Sequence, residues 1–456
     1  MRIIDPATDQ ILEELSEDTA ETVREKAARS RAAQPAWAAR PLAERAAIIR
    51  RFRDLVLERK DSLAATLTSE VGKPITQAHN EIAGMIPRID FFLDRVGAEV
   101  AHEVVQPTPE MEERISHEPL GVIANISAWN YPYFVGSNVF IPALLTGNAV
   151  LYKPSEFSTL TGLAISKLLH EAGVPDSAFT PLLGGPQVGA ALLDAPISGV
   201  FFTGSYATGQ RIAQSVAPRL IKLQLELGGK DPVYVSEDVD VAKVAAGVAD
   251  GAFYNTGQSC CAVERIYVHE QIWDEFLAHF VAEVRGFVIG DPRDKSTYIG
   301  ALARRQPALE LLQAHADDAL SRGAQLLTGG KRVDRPGWFF EPTVFSGATH
   351  EMRLMREESF GPIIGLMKVS SDEQALELMQ DTEYGLTAAF YGRDRARAER
   401  LLSQVEAGSA YWNCCDRVSP RLPWSGRKHS GIGSTLSTYG IETFVQPKAW
   451  HFRAPA

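Results

Sequence analysis

The chain has 456 residues, of which 45% are hydrophobic and 23% charged, and its formal net charge is −11. A chain of this length exceeds a single ordinary core, so we expect two or more domains. The negative charge argues against nucleic acid or an anionic membrane as the main partner, because both need a basic surface.

The start of the chain and its cysteines bear on the compartment. The opening residues, MRIIDPATDQ, contain no long apolar run, so we expect no signal peptide. The four cysteines form two adjacent pairs, and neighbouring cysteines form a disulfide only with strain. No Cys/His cluster has zinc spacing, so no metal site is predicted. We therefore expect reduced thiols and a cytoplasmic protein.

The first hundred residues are predicted to be mostly helical. Between Pro41 and Gly72 an apolar face recurs at helical spacing, with arginine and glutamate around the rest of the surface. Gly72 and Pro74 indicate where this stretch ends. The apolar face consists of Leu42, Ile48, Ile49, Phe52, Leu55 and Val56.

From about Glu118 onward, short apolar segments alternate with helical ones. GVIANIS, AVLYK, FTPLLG, GVFFTGS and PVYVS are typical of buried strands, with GLAISKLLHEAG, VGAALLDA and GQRIAQSVAPRL as helices between them. This alternation predicts βαβ units and a parallel sheet. A second such region follows from about Asp238, with helices near 238–252 and 271–286 and the strands GLMKV, LTAAFYG and GSAYWN. The predicted fold class is α/β, with two domains in sequence.

One segment is long enough to cross a membrane. The run from Leu120 to Tyr152 contains no aspartate, glutamate, lysine or arginine. Glycine, asparagine and proline interrupt it throughout, which favours a strand, a turn, a helix and another strand. We therefore expect no membrane association.

The segment NTGQSCC holds Cys260 and Cys261. A cysteine acts as a nucleophile only as the thiolate, which needs a dipole, a cation or a base nearby. Gly257, just ahead of the thiols, permits a tight turn and the close approach of a ligand. A buried, inert cysteine is the alternative. The motif alone leaves both interpretations open.

Glu226 stands among apolar residues in LQLELGGKDP, directly before a pair of glycines. Apolar neighbours raise the pKa of a carboxyl group, which suits a general base. A glutamate that ends a strand and pairs with a lysine or arginine is the favoured alternative unless a nucleophile lies nearby.

GVFFTGSYATGQRIAQS is typical of a strand, a glycine-containing turn and a helix start. Gly204 and Gly209 are five residues apart, so this is not the GxGxxG fingerprint of ordinary dinucleotide sites. The helix N-terminus from Ser205 to Gly209 is suited to a phosphate, although many βα turns look the same. After another strand, Lys153 and Glu156 are suited to ribose hydroxyls, or are surface charges.

Asn130 lies inside the uncharged region, in AWNYP. A buried side-chain amide needs partners, and one that points at a reacting carbonyl acts as an oxyanion donor. An asparagine that caps the turn before Pro132 is the common alternative.

Taken in order, these segments resemble the aldehyde dehydrogenase superfamily. The similarity runs from DPATDQ at residue 5 to YGIETFVQPK near the C-terminus, and so covers nearly the whole chain. ELGGK, GQSC and EESFGP correspond closely to signature segments of that family. The resemblance implies a non-phosphorylating, NAD(P)-dependent oxidoreductase of the hydrolytic type.

The resemblance implies three catalytic roles. Cys260 matches the nucleophile, Glu226 the base that activates the deacylating water, and Asn130 the oxyanion donor beside the Cys260 N–H. The thiolate would add to the aldehyde to give a thiohemiacetal, hydride transfer would leave a thioester, and water would release the acid. Cys261 matches a neighbour that varies across the family.

The resemblance also implies a cofactor site. Lys153 and Glu156 match the pair that holds the adenosine ribose, and Glu358 and Phe360 match residues at the nicotinamide ribose and ring. A carboxylate at Glu156 repels a 2′-phosphate, so NAD is expected, with NADP possible. The implied cofactor-binding residues are Ser127, Trp129, Lys153, Glu156, Gly185, Gly189, Gly204, Ser205, Gly209, Leu227, Glu358 and Phe360.

The implied aldehyde pocket is largely apolar, which suits an aromatic or medium aliphatic aldehyde. It includes Tyr131, Phe134, Val135, Asn138, Ser259, Cys261 and Val418. Arg417 and Arg421, in the loop NCCDRVSPRLPW, are suited to a distal carboxylate as in succinate semialdehyde, but solvent-facing loop charges are the favoured interpretation. A CoA-acylating relative is a further alternative, against which Glu226 argues.

Two segments depart from the family pattern. Tyr206, Ala207 and Thr208 stand where Thr-Glu-Val is usual, which predicts an altered phosphate contact. Trp424 and Ser425 stand where Phe-Gly is usual.

The implied architecture is the aldehyde dehydrogenase fold: a Rossmann-like cofactor domain, an α/β catalytic domain and a small β oligomerisation arm. Residues 1–99 and 119–228 would form the NAD-binding domain, and residues 229–428 the catalytic domain. Residues 100–118 and 429–456 would form a hairpin and a C-terminal arm, whose strand TFVQPKAWHF joins a neighbouring subunit's sheet. We expect a homodimer or homotetramer.

Overall fold

The computed structural model describes residues 1–108 and 110–455. Its architecture is α/β, as the sequence predicts, with two large and mainly parallel sheets. Smaller antiparallel sheets lie at the N-terminus and between the segments 103–119 and 445–453.

The chain begins with an antiparallel hairpin and four helices. The strands are β1 (Arg2–Ile4) and β2 (Ile11–Glu14), and the helices are α1 (Ala20–Ala38), α2 (Leu42–Glu58), α3 (Lys60–Val71) and α4 (Ile75–Glu99). The helical stretch predicted between Pro41 and Gly72 is divided at Arg59, whose φ of −114° and ψ of 16° are not helical. Gly72 ends α3 with a left-handed φ of 78°.

The apolar face predicted for this stretch packs into a large core cluster. Ile49, Phe52, Leu55 and Val56 are buried in the cluster. Leu42 and Ile48 are half-buried and pack against it.

A hairpin and the first large sheet follow. The hairpin strands are β3 (Glu103–Pro107) and β4 (Met111–Pro119). The sheet and its helices are β5 (Val122–Ile126), α5 (Pro132–Leu145), β6 (Ala149–Lys153), α6 (Thr159–Ala172), β7 (Phe179–Pro181), α7 (Pro186–Asp194), β8 (Gly199–Thr203), α8 (Tyr206–Val216) and β9 (Lys222–Glu226). The five strands run parallel in the order β9-β8-β5-β6-β7.

Every residue of β5 and β6 is buried, because apolar clusters lie against both faces of the sheet. The uncharged run from Leu120 to Tyr152 thus forms β5, α5 and β6, as expected. No helix within the described parts of the chain is long and apolar enough to cross a membrane.

The second large sheet has seven strands in the order β12-β13-β14-β11-β10-β16-β17. All neighbours are parallel except β12 and β13. The elements are β10 (Asp231–Val235), α9 (Val241–Phe253), β11 (Val263–His269), α10 (Trp273–Gly286), α11 (Gln306–Ser321), β12 (Gln325–Thr328), β13 (Thr343–Ser346), α12 (Arg353–Arg356), β14 (Ile363–Val369), α13 (Asp372–Gln380), β15 (Tyr384–Gly385), β16 (Thr387–Tyr391), α14 (Arg395–Leu402) and β17 (Ser409–Trp412).

The C-terminal segment returns to both earlier parts of the fold. It contains β18 (Arg427–Lys428), β19 (Gly431–Ile432), α15 (Ser437–Glu442) and β20 (Val445–Arg453). β19 pairs antiparallel with β9, where Gly431 faces Glu226. β20 pairs along its whole length with β4, which gives the sheet order β20-β4-β3. The division of the chain into domains stays a prediction.

The fully buried strands β11 and β13 were not among the predicted strands, and β11 shows why. Glu264 and Arg265 stand inside it and break the apolar pattern. Both charges have buried partners: Arg265 donates to the carbonyl oxygens of Lys230, Leu378 and Met379. A strand whose charges are satisfied by distant residues has no local signal.

Candidate active site

Cys260 follows a tightly folded turn after α9. Asn255, Thr256 and Gly257 all have left-handed φ values, of 54°, 60° and 68°. At Gly257 a Cβ would lie 2.3 Å from the Gly361 carbonyl oxygen, so only glycine fits there. The N–H of Asn255 donates to Gln77 of α4 at 2.9 Å, which ties the turn to that helix. Cys260 is thus held, half-buried, by a strained segment of the kind common at functional sites.

Cys260 borders a cavity of about 680 Å³. Most of the predicted catalytic and cofactor residues line this cavity, although they come from widely separated segments. These lining residues are Ser127, Trp129, Asn130, Lys153, Glu156, Gly189, Gly204, Ser205, Glu226, Leu227, Cys260, Glu358 and Phe360.

Two predicted cofactor glycines, Gly185 and Gly209, lie outside the lining. Gly209 is buried in α8, where a Cβ would approach the Leu227 side chain to 2.5 Å. Gly185 precedes α7, and its N–H donates to Glu17. Gly209 therefore allows α8 to pack closely under a lining residue.

The backbone of Asn130 is fixed from two sides. Its carbonyl oxygen accepts from Lys73 Nζ at 2.7 Å and from Asn255 Nδ2 at 3.1 Å. The second bond joins Asn130 to the turn that carries Cys260. Asn130 is only 3% exposed, and it lines the cavity beside the thiol.

Glu226 ends β9 inside the protein. Its Oε1 accepts from Gln224 Nε2 at 2.8 Å and from Thr435 Oγ1 at 3.2 Å, whereas the buried Oε2 has no hydrogen-bond partner among the described residues. Burial raises the pKa of Glu226 well above the usual range of a carboxyl group. The sequence alternative, a glutamate paired with lysine or arginine, is wrong: neither is among its partners in the described residues.

Glu358 and Phe360 also form part of the wall of the cavity. Glu358 accepts the Gly229 N–H at 3.0 Å, and burial together with the charge of Glu264 raises the pKa of Glu358 to about 8. Phe360 has a left-handed φ of 48°, and its ring meets the edge of Trp129 with 5.4 Å between ring centroids. Two aromatic rings thus narrow the cavity here.

Lys153 and Glu156 lie at the end of β6. Lys153 Nζ is 3.8 Å from Glu156 Oε2, and Lys153 is 4% exposed. Burial lowers the pKa of Lys153, partly offset by the Glu156 charge. Ser205, another lining residue, precedes the first turn of α8, and the N–H groups at this helix N-terminus are suited to a phosphate.

The predicted substrate residues lie beside this cavity rather than in its lining. Phe134 and Val418 pack on the same core cluster as Cys260, and Cys261 is buried within that cluster. The rings of Tyr131 and Phe134 stack with 5.7 Å between centroids and 3° between planes. Asn138 is buried on α5, one turn after Phe134.

Ser259 and Cys261 share a partner that the sequence did not single out. Both donate to Asp416 Oδ1, at 3.2 and 3.0 Å. A hydrogen bond with Cys260, burial and the Asp416 charge raise the pKa of Cys261 well above its usual range. Cys261 therefore stays a thiol while it supports the wall next to Cys260.

Sequence reasoning missed several charged residues around the site. Arg211 and Arg304 line the cavity, and Lys73 and Arg88 lie behind Tyr131 and Phe134. Lys73 directly precedes Pro74, and the sequence pattern there indicates only the end of a helical stretch. A buried cation has no local pattern in the sequence, so only the tertiary structure shows that these residues lie at the site.

Comparison with known proteins matches this geometry to one family. The profile of the Aldehyde dehydrogenase family matches residues 1–450. A succinate-semialdehyde dehydrogenase [NADP(+)] of Deinococcus radiodurans is 37% identical over 413 residues, which cover 90% of this chain and 86% of that protein. A chloroplastic betaine aldehyde dehydrogenase of Amaranthus hypochondriacus is 34% identical over 458 residues, covering 98% and 91%.

Solved structures agree with this result. The crystal structure of an NAD-dependent aldehyde dehydrogenase from Sinorhizobium meliloti superposes with a TM-score of 0.96 at 32% identity, covering 100% of this chain and 92% of that one. The chain belongs to the aldehyde dehydrogenase family. It is an oxidoreductase that oxidises aldehydes with a nicotinamide cofactor.

Proposed function

We propose that this chain oxidises an aldehyde to the carboxylic acid through a thioester on Cys260, with NAD as its preferred cofactor. The observation that carries the proposal is the meeting of a thiol, an amide and a carboxyl group at one cavity. Cys260, Asn130 and Glu226 come from three distant segments, and each supplies a group that thioester chemistry needs.

The residues around the cavity fit a dinucleotide. A volume of about 680 Å³ is in the range of cofactor sites. The α8 N-terminus supplies N–H donors for a pyrophosphate, and Lys153 and Glu156 supply groups for ribose hydroxyls. Trp129 and Phe360 form an apolar end that suits a nicotinamide ring.

In this proposal the Cys260 thiolate attacks the aldehyde carbon, and the oxyanion forms beside the Asn130 amide. A nicotinamide bound here would supply the hydride acceptor, and loss of hydride from the thiohemiacetal would leave a thioester on Cys260. Glu226 then takes a proton from water, which attacks the thioester and releases the acid. Glu226 needs its ionised form for that step, so its buried position and raised pKa set the pH at which deacylation is fast.

The preference for NAD rests on Glu156. A carboxylate accepts hydrogen bonds from both ribose hydroxyls, whereas it repels a 2′-phosphate. Lys153, 3.8 Å away, offsets part of this charge, so NADP is a secondary cofactor in the proposal. The names of relatives include both cofactors, NADP(+) in one and NAD in another.

The substrate has an apolar body, aromatic or medium aliphatic. Tyr131, Phe134 and Val418 are half-buried, and their exposed faces supply apolar surface beside Cys260. Arg417 and Arg421 are exposed on their loop, which supports the interpretation as solvent-facing charges. The named substrates of the relatives, succinate semialdehyde and betaine aldehyde, differ in charge and do not narrow the class.

The test is formation of reduced cofactor from NAD and from NADP with acetaldehyde, hexanal, benzaldehyde and phenylacetaldehyde. We expect turnover without added CoA, release of the acid, and a higher kcat/KM with NAD. Turnover that requires CoA would mean an acylating enzyme. No turnover under any of these conditions would overturn the proposed reaction.

The proposal includes a homodimer or homotetramer. In the sheet β20-β4-β3, both outer strands have an open edge in the single chain, and an open edge favours pairing with another strand. Sedimentation of the full chain should give a mass of at least two subunits, and a monomer would contradict this.

A further inference from the structure

Arg88 is a buried guanidinium that forms no ion pair with any of the described residues. It lies on α4 and is 5% exposed. Its Nη1 donates to the Gly84 carbonyl oxygen at 2.8 Å, one turn earlier on the same helix. Its Nε is buried and has no hydrogen-bond partner, and no carboxylate of the described residues forms an ion pair with it.

Such an arrangement is costly for the folded chain. A charge removed from water needs a counter-charge or a full set of hydrogen bonds. Here burial outweighs the distant Glu81 charge and lowers the pKa of Arg88 to about 10, which leaves the guanidinium charged at neutral pH. A buried cation with an N–H that no described residue accepts therefore favours an acceptor supplied by a ligand.

The guanidinium packs on Phe134, one of the residues expected in the aldehyde pocket. Its Cζ lies 3.7 Å from the centroid of the Phe134 ring. Phe134 in turn stacks on Tyr131, the residue next to Asn130. A Cβ at Gly84 would come within 2.7 Å of the Phe134 ring, so this glycine lets the ring lie directly on α4. Arg88 is thus one aromatic ring away from the residues that surround Cys260.

A second orphaned polar group lies on the same side. Asn138 is one helical turn after Phe134 on α5, so the two side chains share a face. Asn138 is 8% exposed, and its buried Oδ1 has no hydrogen-bond partner in the part of the chain that the structure describes. Rotation of the amide by half a turn would present its N–H donors in place of that oxygen.

The other charges nearby are already satisfied. Lys73 lies over the far face of the Tyr131–Phe134 pair and forms a buried ion pair with Glu81. Asp416 accepts from Ser259 and Cys261, and burial raises its pKa to about 6. Of the two cations that lie against Tyr131 and Phe134, Arg88 is therefore the one without a counter-charge among the described residues.

We propose that Arg88, together with Asn138, binds an anionic group at the far end of the substrate, so that the preferred substrate is an aldehyde with a distal carboxylate. This inference rests on the proposed function, because it assigns one end of the same pocket. The Nε–H and one Nη–H of a guanidinium form a fork that matches the two oxygens of a carboxylate. The apolar faces of Tyr131 and Phe134 then contact the chain between the two ends.

The experiment compares three aldehydes of one chain length: succinate semialdehyde, its methyl ester and the corresponding aminoaldehyde. They carry a negative, a neutral and a positive far end. For the native chain we expect kcat/KM for the carboxylate to exceed that for the ester by about 30-fold or more. Arg88→Met should reduce that carboxylate-to-ester ratio by a similar factor, mainly through KM, and Arg88→Lys should restore part of it.

Two further variants locate the effect. Arg95→Met removes an exposed arginine two turns later on α4, and should leave the ratio within about twofold of the native value. Arg417→Met tests the loop arginine. A ratio lost in Arg417→Met and kept in Arg88→Met would overturn the assignment, and so would a native preference for the ester or the aminoaldehyde.

The outcomes separate this inference from the proposed function. Oxidation of the ester without a carboxylate preference leaves the reaction intact and overturns the role of Arg88. Failure of all three aldehydes, together with hexanal and benzaldehyde, overturns the reaction itself. Because Arg88 is buried, Arg88→Gln serves as a second variant if Arg88→Met does not fold, and ester turnover reports on folding in each case.

Discussion

The Glu264 carboxylate accepts the backbone N–H of Phe360 at 3.0 Å and so holds a residue of left-handed φ at the cavity wall. The same carboxylate accepts the Ser359 N–H at 2.8 Å and pairs with Lys230 Nζ at 2.5 Å. Glu264 lies in β11, at the centre of the second sheet. A rigid strand thus determines where Glu358 and Phe360 stand.

Glu264→Gln should weaken cofactor binding and destabilise the fold. The amide cannot accept all three hydrogen bonds, and the Lys230 ammonium loses its buried counter-charge, a loss of about 3–5 kcal/mol. We expect a several-fold rise in the Kd for NAD, measured by fluorescence titration, and a lower denaturant midpoint. Glu270→Gln, at an exposed position just after β11, is the matched control. A lower midpoint with unchanged NAD affinity would mean that Glu264 only supports the fold.

The adjacent thiols give a matched pair of variants. Cys260→Ala should lower turnover by at least about 10⁴-fold, because no other group replaces a missing nucleophile. Cys261→Ala removes a buried thiol bonded to Asp416, and should retain activity within about tenfold while it loses about 1 kcal/mol of stability. Initial rates and urea unfolding of both variants check this. Full activity in Cys260→Ala would mean that Cys261, not Cys260, is the nucleophile.

Asn130→Ala should reduce kcat by about 10²–10³-fold, the usual cost of one oxyanion donor. The variant should still fold, because Lys73 and Asn255 bind the backbone carbonyl of Asn130, which the substitution keeps. Circular dichroism and the thermal midpoint provide the control. A loss of activity that merely follows a loss of folded protein would argue against an oxyanion role.

Glu226→Gln should separate the two halves of the reaction. Since the pKa of Glu226 is raised, the native steady-state rate should increase with pH as the carboxyl group ionises. The steady-state rate of the glutamine variant should not show this increase with pH. The variant should still give a burst of one reduced cofactor per active site when it is mixed with aldehyde. Rapid mixing across a pH series measures both. The absence of a burst would mean that Glu226 acts before hydride transfer.

The same raised pKa predicts how stability depends on pH. The folded carboxyl group holds its proton at a pH where the unfolded one has lost it. The stabilising contribution of Glu226 to the free energy of unfolding is therefore fully present below the ordinary pKa range of a carboxyl group. It is lost as pH rises through the pKa of the folded state. In denaturant unfolding, the free energy of unfolding of the native chain should decrease relative to that of Glu226→Gln as pH rises. Parallel curves would contradict it.

The sequence predicted the parts of the fold that have local signals. β5, β6 and β8 are short apolar runs between turns, and each was expected where it lies. The segments around Glu226 and Cys260 were found because their residue types are distinctive, and the structure brings both to one cavity. Their catalytic roles stay predictions.

The elements that escaped prediction depend on distant partners. β11 was not predicted because Glu264 and Arg265 are charged, and charged residues are unusual in a buried strand. Their partners are distant in the sequence: Arg265 donates to Leu378, and Glu264 accepts from Phe360. Arg88 belongs to an ordinary helical segment in the sequence, and only its contact with Phe134 reveals its position. Tertiary contacts therefore decide the charges around the substrate, whereas local patterns decide the scaffold.

Cofactor choice is the last property that a single residue should control. Glu156 is about one-third exposed and stands 3.8 Å from Lys153, so a 2′-phosphate placed between them would meet one repulsive and one attractive charge. Glu156→Gln removes the repulsion and keeps hydrogen-bonding groups for the ribose, and should lower the NAD-to-NADP ratio of kcat/KM by at least about tenfold, or 1.4 kcal/mol.

Asp194→Asn is the matched control, because Asp194 is another exposed carboxylate at the same cavity. Its removal should change the ratio little, since only a charge next to the ribose discriminates the two cofactors. Initial rates with varied NAD and NADP at fixed aldehyde measure both variants. An equal change in both would indicate a general effect of net charge, and a native ratio near one would remove Glu156 as the determinant of cofactor choice.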